Sequence, residues 1–274
     1  MMPKVLDRPG VDDEPFESVD WQGRAVDCSG CAHAALRARG LCQLGHACVA
    51  DRYAKRIERF FDWNPTVANE ALEHPYFEVR AIAARHADVF LLERMLGDPD
   101  ETVRWSAVQR LPGSSLEKLA NDPHREVRIR VALRLPPGSL PRMIDDPDYY
   151  VRVQVAKRLP LSLLSRMAND SDDQVRMAVA RRLEAPALLS MVRDPDPAVR
   201  AIVAQRLPPG LLDRLIQDAD WRVRYEVAQR LPPRDLGALL ADPEEAVAAV
   251  ARARLMPRPT GESTKQFQVL EGCN

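Results

Sequence analysis

Apolar and polar positions along this chain recur at a fixed interval of 24 residues. The pair Val-Arg stands at 79, 103, 127, 151, 175, 199 and 223, and Val-Ala takes the same register at 247. Five residues before each valine comes His74, Asp98, Asp122, Asp146, Asp170, Asp194, Asp218 or Asp242, usually followed by proline. Eight residues after the valine comes Ala87, Leu111, Leu135, Leu159, Leu183, Leu207, Leu231 or Leu255, in most copies followed by proline again. Another leucine closes the unit at 92, 116, 140, 164, 188, 212 and 236. Eight registers without an insertion mark a repeat array, and they explain the chain's 23 prolines.

Each unit predicts two short helices. Val103, Ala107, Val108 and Leu111 fall at i, i+4, i+5 and i+8, one stripe of a helix of roughly ten residues. Asp98-Pro99 reads as an N-cap followed by the first helical residue, with Glu101 completing an approximate capping box. Pro112 stops the helix. Ser114 to Ala120, with Leu116, Leu119 and Ala120 on one side, has room for only a turn or two of α- or 3₁₀-helix. No copy holds the alternating β-branched run of a strand, so the chain is expected to be all-α. The column Ala84, Val108, Ala132, Ala156, Ala180, Ala204 and Ala228 is almost all small, which lets successive helices approach closely. Each layer then buries its face only against its neighbours, as in a solenoid.

Two cationic ladders share the period: Arg80, Arg104, Arg128, Arg152, Arg176, Arg200 and Arg224, and His86, Arg110, Arg134, Arg158, Arg182, Arg206, Arg230 and Arg254. Strict spacing predicts that they pair with the Asp ladder and with carbonyls at helix C-termini. The alternative is a basic strip for an acidic partner or a phosphate backbone. Residues 74–258 carry 29 Lys and Arg against 26 Asp and Glu, so nucleic acid stays a minority expectation. Trp105, Tyr149, Tyr150, Trp221 and Tyr225 share no one column and are expected to pack locally or to meet a partner. The whole chain has a net charge of -1 and a mean hydropathy of -0.32. It has no apolar run near the ~18 residues of a membrane span. Its acidic, proline-bearing start is not a signal peptide. A soluble, cytoplasmic protein is expected.

Before the repeats lies Cys28-Ser-Gly-Cys31, then Cys42, then Cys48, punctuated by Gly30, Gly40 and Gly45. A reducing compartment argues against disulfides, and four of five cysteines within 21 residues argue for a four-thiolate metal site. Structural zinc prefers two C-x2–4-C knuckles, and Cys42-x5-Cys48 is too wide for one. An iron–sulfur cluster tolerates irregular spacing. Residues 21–60 hold seven Lys and Arg and three Asp and Glu, a net +4 that offsets a negatively charged cluster. The ferredoxin run C-x2-C-x2-C is absent, and Ala32 after Cys31 excludes covalent haem. Zinc and iron–sulfur both stay open on this chemistry. His33 and His46 are substitute donors but read better as solvated side chains.

The repeat and the four-cysteine segment together resemble the leucine-rich repeat variant family of nitrogen-fixing bacteria. The resemblance implies α-helices alternating with 3₁₀-helices in a right-handed superhelical solenoid. It also implies a small N-terminal domain with a [4Fe-4S] cluster held by Cys28, Cys31, Cys42 and Cys48. The expected layout is an acidic extension over 1–20, the four-cysteine domain over 21–63, the solenoid over 64–258 and a flexible tail over 259–274 carrying Cys273. Residues 49–61 read as an amphipathic helix whose Ile57, Phe60, Phe61 and Trp63 cap the first repeat.

Five scattered histidines, no G-x-S-x-G and no phosphate-cradling loop offer no catalytic apparatus. The expected role is a non-enzymatic protein-interaction scaffold with a structural or redox-responsive cluster. The alternatives are an electron-transfer protein that docks its partner on the solenoid, and nucleic-acid binding through the Arg ladders.

Overall fold

The computed structural model of the chain describes residues 18–256; the expected tail over 259–274 with Cys273, and residues 1–17 of the expected extension, lie outside the described residues. The chain divides into two compact units between Leu159 and Pro160. The first holds α1 (Ala34–Ala38), α2 (Ala54–Trp63) and four repeat helices. These are α3 (Phe77–His86), α4 (Glu101–Arg110), α5 (Arg125–Arg134) and α6 (Tyr149–Arg158). The second holds α7 (Asp173–Ala180), α8 (Pro197–Arg206), α9 (Trp221–Arg230) and α10 (Glu245–Leu255). Between them run 3₁₀ segments such as Val89–Gly97, Gly113–Leu119 and Pro137–Met143. Among the described residues, β-structure amounts to two isolated bridges, Val19 with Ala25 and Gln43 with Ala47. No helix among them is long and apolar enough to cross a membrane. The chain is thus an all-helical repeat solenoid in fold class, α-helix alternating with 3₁₀-helix.

The predicted helix ends hold at the C-terminal side, where Leu111, Leu135 and Leu159 turn to extended backbone after ten residues of helix. The predicted starts are corrected. Asp98 is not the N-cap: the helix begins two residues later than expected, at Glu101, and Asp98 accepts the Asp100 N–H instead. The cap is Asp100, whose side chain accepts the Thr102 N–H. Asp148, Asp172, Asp196 and Asp220 cap their helices the same way. Among the described residues, only at Asp196-Pro197 does an Asp-Pro pair serve as N-cap and first helical residue.

The first aspartate is freed for another task. Its Oδ1 accepts the N–H two residues on, and the carboxylate receives the ladder arginine of the preceding repeat. In the first unit Arg80 donates to Asp98 at 2.8 and 2.8 Å, Arg104 to Asp122 at 2.7 and 2.9 Å, and Arg128 to Asp146 at 2.8 and 3.1 Å. In the second, Arg176, Arg200 and Arg224 meet Asp194, Asp218 and Asp242 identically. The remaining nitrogen of Arg104 donates to the Asp98 and Pro99 carbonyls, so one guanidinium stitches its own turn to the next. The second ladder donates backwards into the preceding helix C-terminus: Arg206 reaches the Ala180 and Leu183 carbonyls, each at 2.7 Å, and Arg134 the Val108 carbonyl. The pairing expected from the sequence is thus present in both units.

The small column from Ala84 to Ala228 is fully buried. Burial is wider than the predicted stripe, taking in Arg104, Ser106, Ile129 and Gln154, because an interior helix is covered from both adjoining layers. The aromatics are more regular than they first read. Tyr149 and Trp221 occupy one register, and Trp105 and Tyr225 the register four residues later, one helical turn along the same face. Arg130 lies over the Trp105 ring, 4.4 Å from its centre.

Candidate metal centre

The first repeat has no repeat before it, and α2 takes that place. Its Ile57, Phe60 and Phe61 are fully buried, and Phe61 stacks on His86, which replaces the ladder arginine in this layer. Arg85 pairs with Glu58 at 3.0 Å. Trp63, expected to join this cap, is instead 37% exposed and lies against His46. The α2 axis turns its apolar face to α3, and Trp63 at its end falls outside that face.

The cysteines sit on the short turns that lead into α2. Asp27 accepts the N–H and the hydroxyl of Ser29 at 2.8 and 2.7 Å, a side-chain turn that bends the chain between Cys28 and Cys31. After α1, Gly40 at φ 72° lets the Leu41 N–H return to the Leu36 carbonyl and the Gly40 N–H to the Arg37 carbonyl, a Schellman ending that delivers Cys42. Gly45, at φ 75°, closes the tight loop in which Gln43 and Ala47 exchange both backbone bonds. That loop sets Cys42 and Cys48 on either side of the Gln43–Ala47 bridge. Cys42 also lies within electrostatic reach of Cys31 and Cys28.

All four are free thiols. Cys48 is buried, and the other three are partly exposed. Burial pushes the Cys48 thiol up to about 11 and raises Cys42 as well. The backbone N–H groups of Ala50 and Asp51 pull the Cys48 thiol the other way, and the His33 N–H donates to the Cys31 sulfur at 3.4 Å. The Arg37 charge stabilises the Cys42 thiolate. Soft sulfur donors, the His33 N–H on Cys31 and the Arg37 cation form a donor set that fits an iron–sulfur group. Among the described residues, no three His, Cys, Asp or Glu side chains come close enough to grip a single metal ion.

The surrounding residues were only partly legible. Asp51, 2% exposed, binds Arg56 at 2.8 Å and the Tyr53 N–H at 2.9 Å, holding the loop after Cys48. Asn64 donates to the Leu41 carbonyl at 2.7 Å, tying the end of α2 to the approach of Cys42. Asp two residues before a turn is a readable signal at Asp27 and Asp51, whereas the Asn64 bond spans 23 residues and had none. His33 and His46 are not solvated as expected. His33 packs on Phe60, 5.2 Å between ring centres, and burial lowers its pKa, while His46 faces Arg59 and Trp63.

Residues 18–70 match the family "LRV protein FeS4 cluster", and residues 77–100, 125–148, 197–220 and 221–244 match "Leucine rich repeat variant". Over 98 residues the chain is 54% identical to an "Uncharacterized 27.7 kDa protein in nifB 3'region" of Rhodobacter capsulatus, which covers 36% of this chain and 40% of that protein. The chain therefore matches less than half the length of that curated relative. A solved structure described as "a leucine-rich repeat variant with a novel repetitive protein structural motif" is 41% identical, with a TM-score of 0.79 over 84% of this chain and 99% of its own. With both segments and nearly the whole of that structure matched, the chain belongs to the leucine-rich repeat variant family, as an iron–sulfur repeat protein.

Proposed function

We propose that Cys28, Cys31, Cys42 and Cys48 hold a [4Fe-4S] cluster, and that the repeats form a non-enzymatic, cytoplasmic scaffold whose binding of another protein responds to that cluster. The observation that carries the reading is four free cysteines within the segment that matches the FeS4 cluster family, with Cys42 in electrostatic reach of Cys28 and Cys31. When bound, such a cluster supplies one-electron chemistry. The protein's part is to release the thiol protons on ligation, against the burial that raises Cys42 and Cys48, and to donate the His33 N–H to the Cys31 sulfur. The wide Cys42-x5-Cys48 spacing favours the cluster over zinc.

The scaffold reading draws on the surface. Phe90 is 92% exposed, and Leu133, Tyr149 and Tyr150 line a shallow groove with Ile129, Arg125 and Arg130. Exposed apolar groups of this kind favour a protein partner. The histidines support a non-enzymatic role: His74 accepts the Tyr76 N–H, His86 stacks on Phe61, and His33 and His46 are packed as described. The nucleic-acid alternative loses its main support, because the paired arginines of both ladders spend their donors on Asp side chains and carbonyls inside the stack.

The test is the iron, acid-labile sulfide and zinc content of protein purified without oxygen, with its visible spectrum before and after dithionite. Four iron and four sulfide per chain with a colour that bleaches are expected; one zinc and no sulfide overturns the cluster. Partial exposure of Cys28, Cys31 and Cys42 favours a second reading, electron transfer through the thin cover of the cluster. A reversible midpoint potential and re-oxidation by a co-purified partner support it, and a redox-silent cluster overturns it.

A further inference from the structure

The segment that carries the cysteines has almost no core of its own. Between residues 18 and 53 the buried side chains are Ala47, Cys48, Val49 and Asp51, and none lies before 47. Its regular structure is one five-residue helix, α1, with no buried residue, and two isolated bridges. Helix α2 is the opposite case, with three fully buried apolar side chains against α3. A stretch this poor in buried apolar surface does not offset the entropy of ordering it.

The same stretch covers the end of the repeat stack. Trp21 stacks on Tyr76 of the first repeat, ring centres 6.0 Å apart and nearly parallel. His33 lies on Phe60, Leu41 takes the Asn64 side chain, and the Tyr76 hydroxyl donates to the Arg52 carbonyl. Each contact attaches the segment to groups that α2 and the first repeat hold in place without it.

We infer that the cluster is the missing core of residues 18–53, so that losing it unfolds this segment and uncovers Phe60 and Tyr76, while α2 and the repeats stay folded. The inference rests on the cluster reading and adds what the cluster does. Cluster occupancy becomes a change of surface at one end of the scaffold. The four ligands span residues 28–48 and tie together turns that otherwise share only backbone and polar side-chain bonds. The Asp51–Arg56 pair marks the boundary, because Arg56 belongs to α2 and Asp51 to the segment.

Hydrogen exchange followed by mass spectrometry tests this on the full-length protein, purified without oxygen, before and after iron removal by ferricyanide and a chelator, with iron and sulfide counted on every sample. Backbone amides of 41–53 are expected to lose at least ten-fold of their protection, and those of 77–159 to keep theirs. Trypsin gives a second readout: Arg37 and Arg39 are exposed but framed by the Schellman turn, and cleavage there is expected to speed up at least ten-fold after iron removal. Unchanged exchange and cleavage in 18–53 on a sample whose iron has fallen from four to none overturns the inference while leaving the cluster reading intact. Loss of protection that spreads into 77–159 overturns it too, since the repeats would then depend on the cluster. A sample with zinc and no sulfide overturns both readings.

Discussion

Arg104 of one repeat and Asp122 of the next form a two-pronged pair, Nε to Oδ2 at 2.7 Å and Nη2 to Oδ1 at 2.9 Å, with the aspartate side chain 1% exposed. The matched fork geometry satisfies both carboxylate oxygens, and the Asp122 carboxylate also accepts the His124 N–H at 2.8 Å. The pair therefore joins two layers and shapes the turn that opens the second.

Removing one partner leaves the other charge buried. Asp122→Ala is expected to destabilise the protein by about 3 kcal/mol, in the range for breaking a buried ion pair. Lys118→Ala removes the Glu93 pair, whose side chains are 69% and 54% exposed, and is expected to cost below about 1 kcal/mol. Urea unfolding of both variants checks the contrast; equal costs would deny the ladder its structural role.

Asp194 and Asp196 stand two residues apart and do different work. Asp194 receives Arg176 from the layer before, whereas Asp196 caps its own helix through the Ala198 N–H at 2.7 Å. Asp196→Ala is expected to cost about 1 kcal/mol, as cap deletions do. Asp194→Ala is expected to cost several times more, about 3 kcal/mol or above. Reversal of that order in thermal or urea unfolding would mean that the assignment of cap and ion pair is inverted.

Gly113 and Gly138 begin to differ once a methyl group is added. A Cβ on Gly113 would meet the Arg134 carbonyl oxygen at 2.7 Å, while one on Gly138 meets nothing within 4 Å. Gly113→Ala is expected to destabilise by about 1–3 kcal/mol through overpacking against backbone. Gly138→Ala is expected to be neutral or to stabilise by up to about 1 kcal/mol, by restricting the unfolded chain. Melting temperatures of the two single variants decide the point.

The last rung of the ladder, Arg224 with Asp242, also sets an acid limit. The Arg224 hydrogen bond holds the Asp242 carboxyl below its ordinary value of ~3.9. A carboxyl lowered on folding contributes stability that is present above the unfolded value and is lost as pH falls through the folded one. The acid arm of a stability–pH curve is therefore expected below about pH 4. Asp242→Asn should flatten that arm and leave the neutral plateau lower, and an unchanged acid arm counts against the pair.

Much of this was legible because repetition makes long-range contacts predictable. Once Val103, Val108 and Leu111 are recognised as one stripe of a 24-residue unit, their counterparts in every layer follow, and so does the pairing of Arg and Asp 18 residues apart. The misplaced N-cap shows the limit. Asp-x-Asp offers two candidates, and the choice depends on an arginine from the preceding layer that claims the first carboxylate.

The cysteine segment divides the same way. The four thiols and their shaping turns at Asp27, Gly40 and Gly45 are local, and the sequence by itself determined them, as it determined the 24-residue layer and its helix ends. What lies over what was decided by the tertiary structure alone: Trp21 on Tyr76, His33 on Phe60, Asn64 on Leu41, and Trp63 turned from the core towards His46. The physical reason is the absence of a period. A repeated layer meets a copy of itself, so its neighbours can be read from its own residues; a unique segment meets whatever the folded chain brings to it.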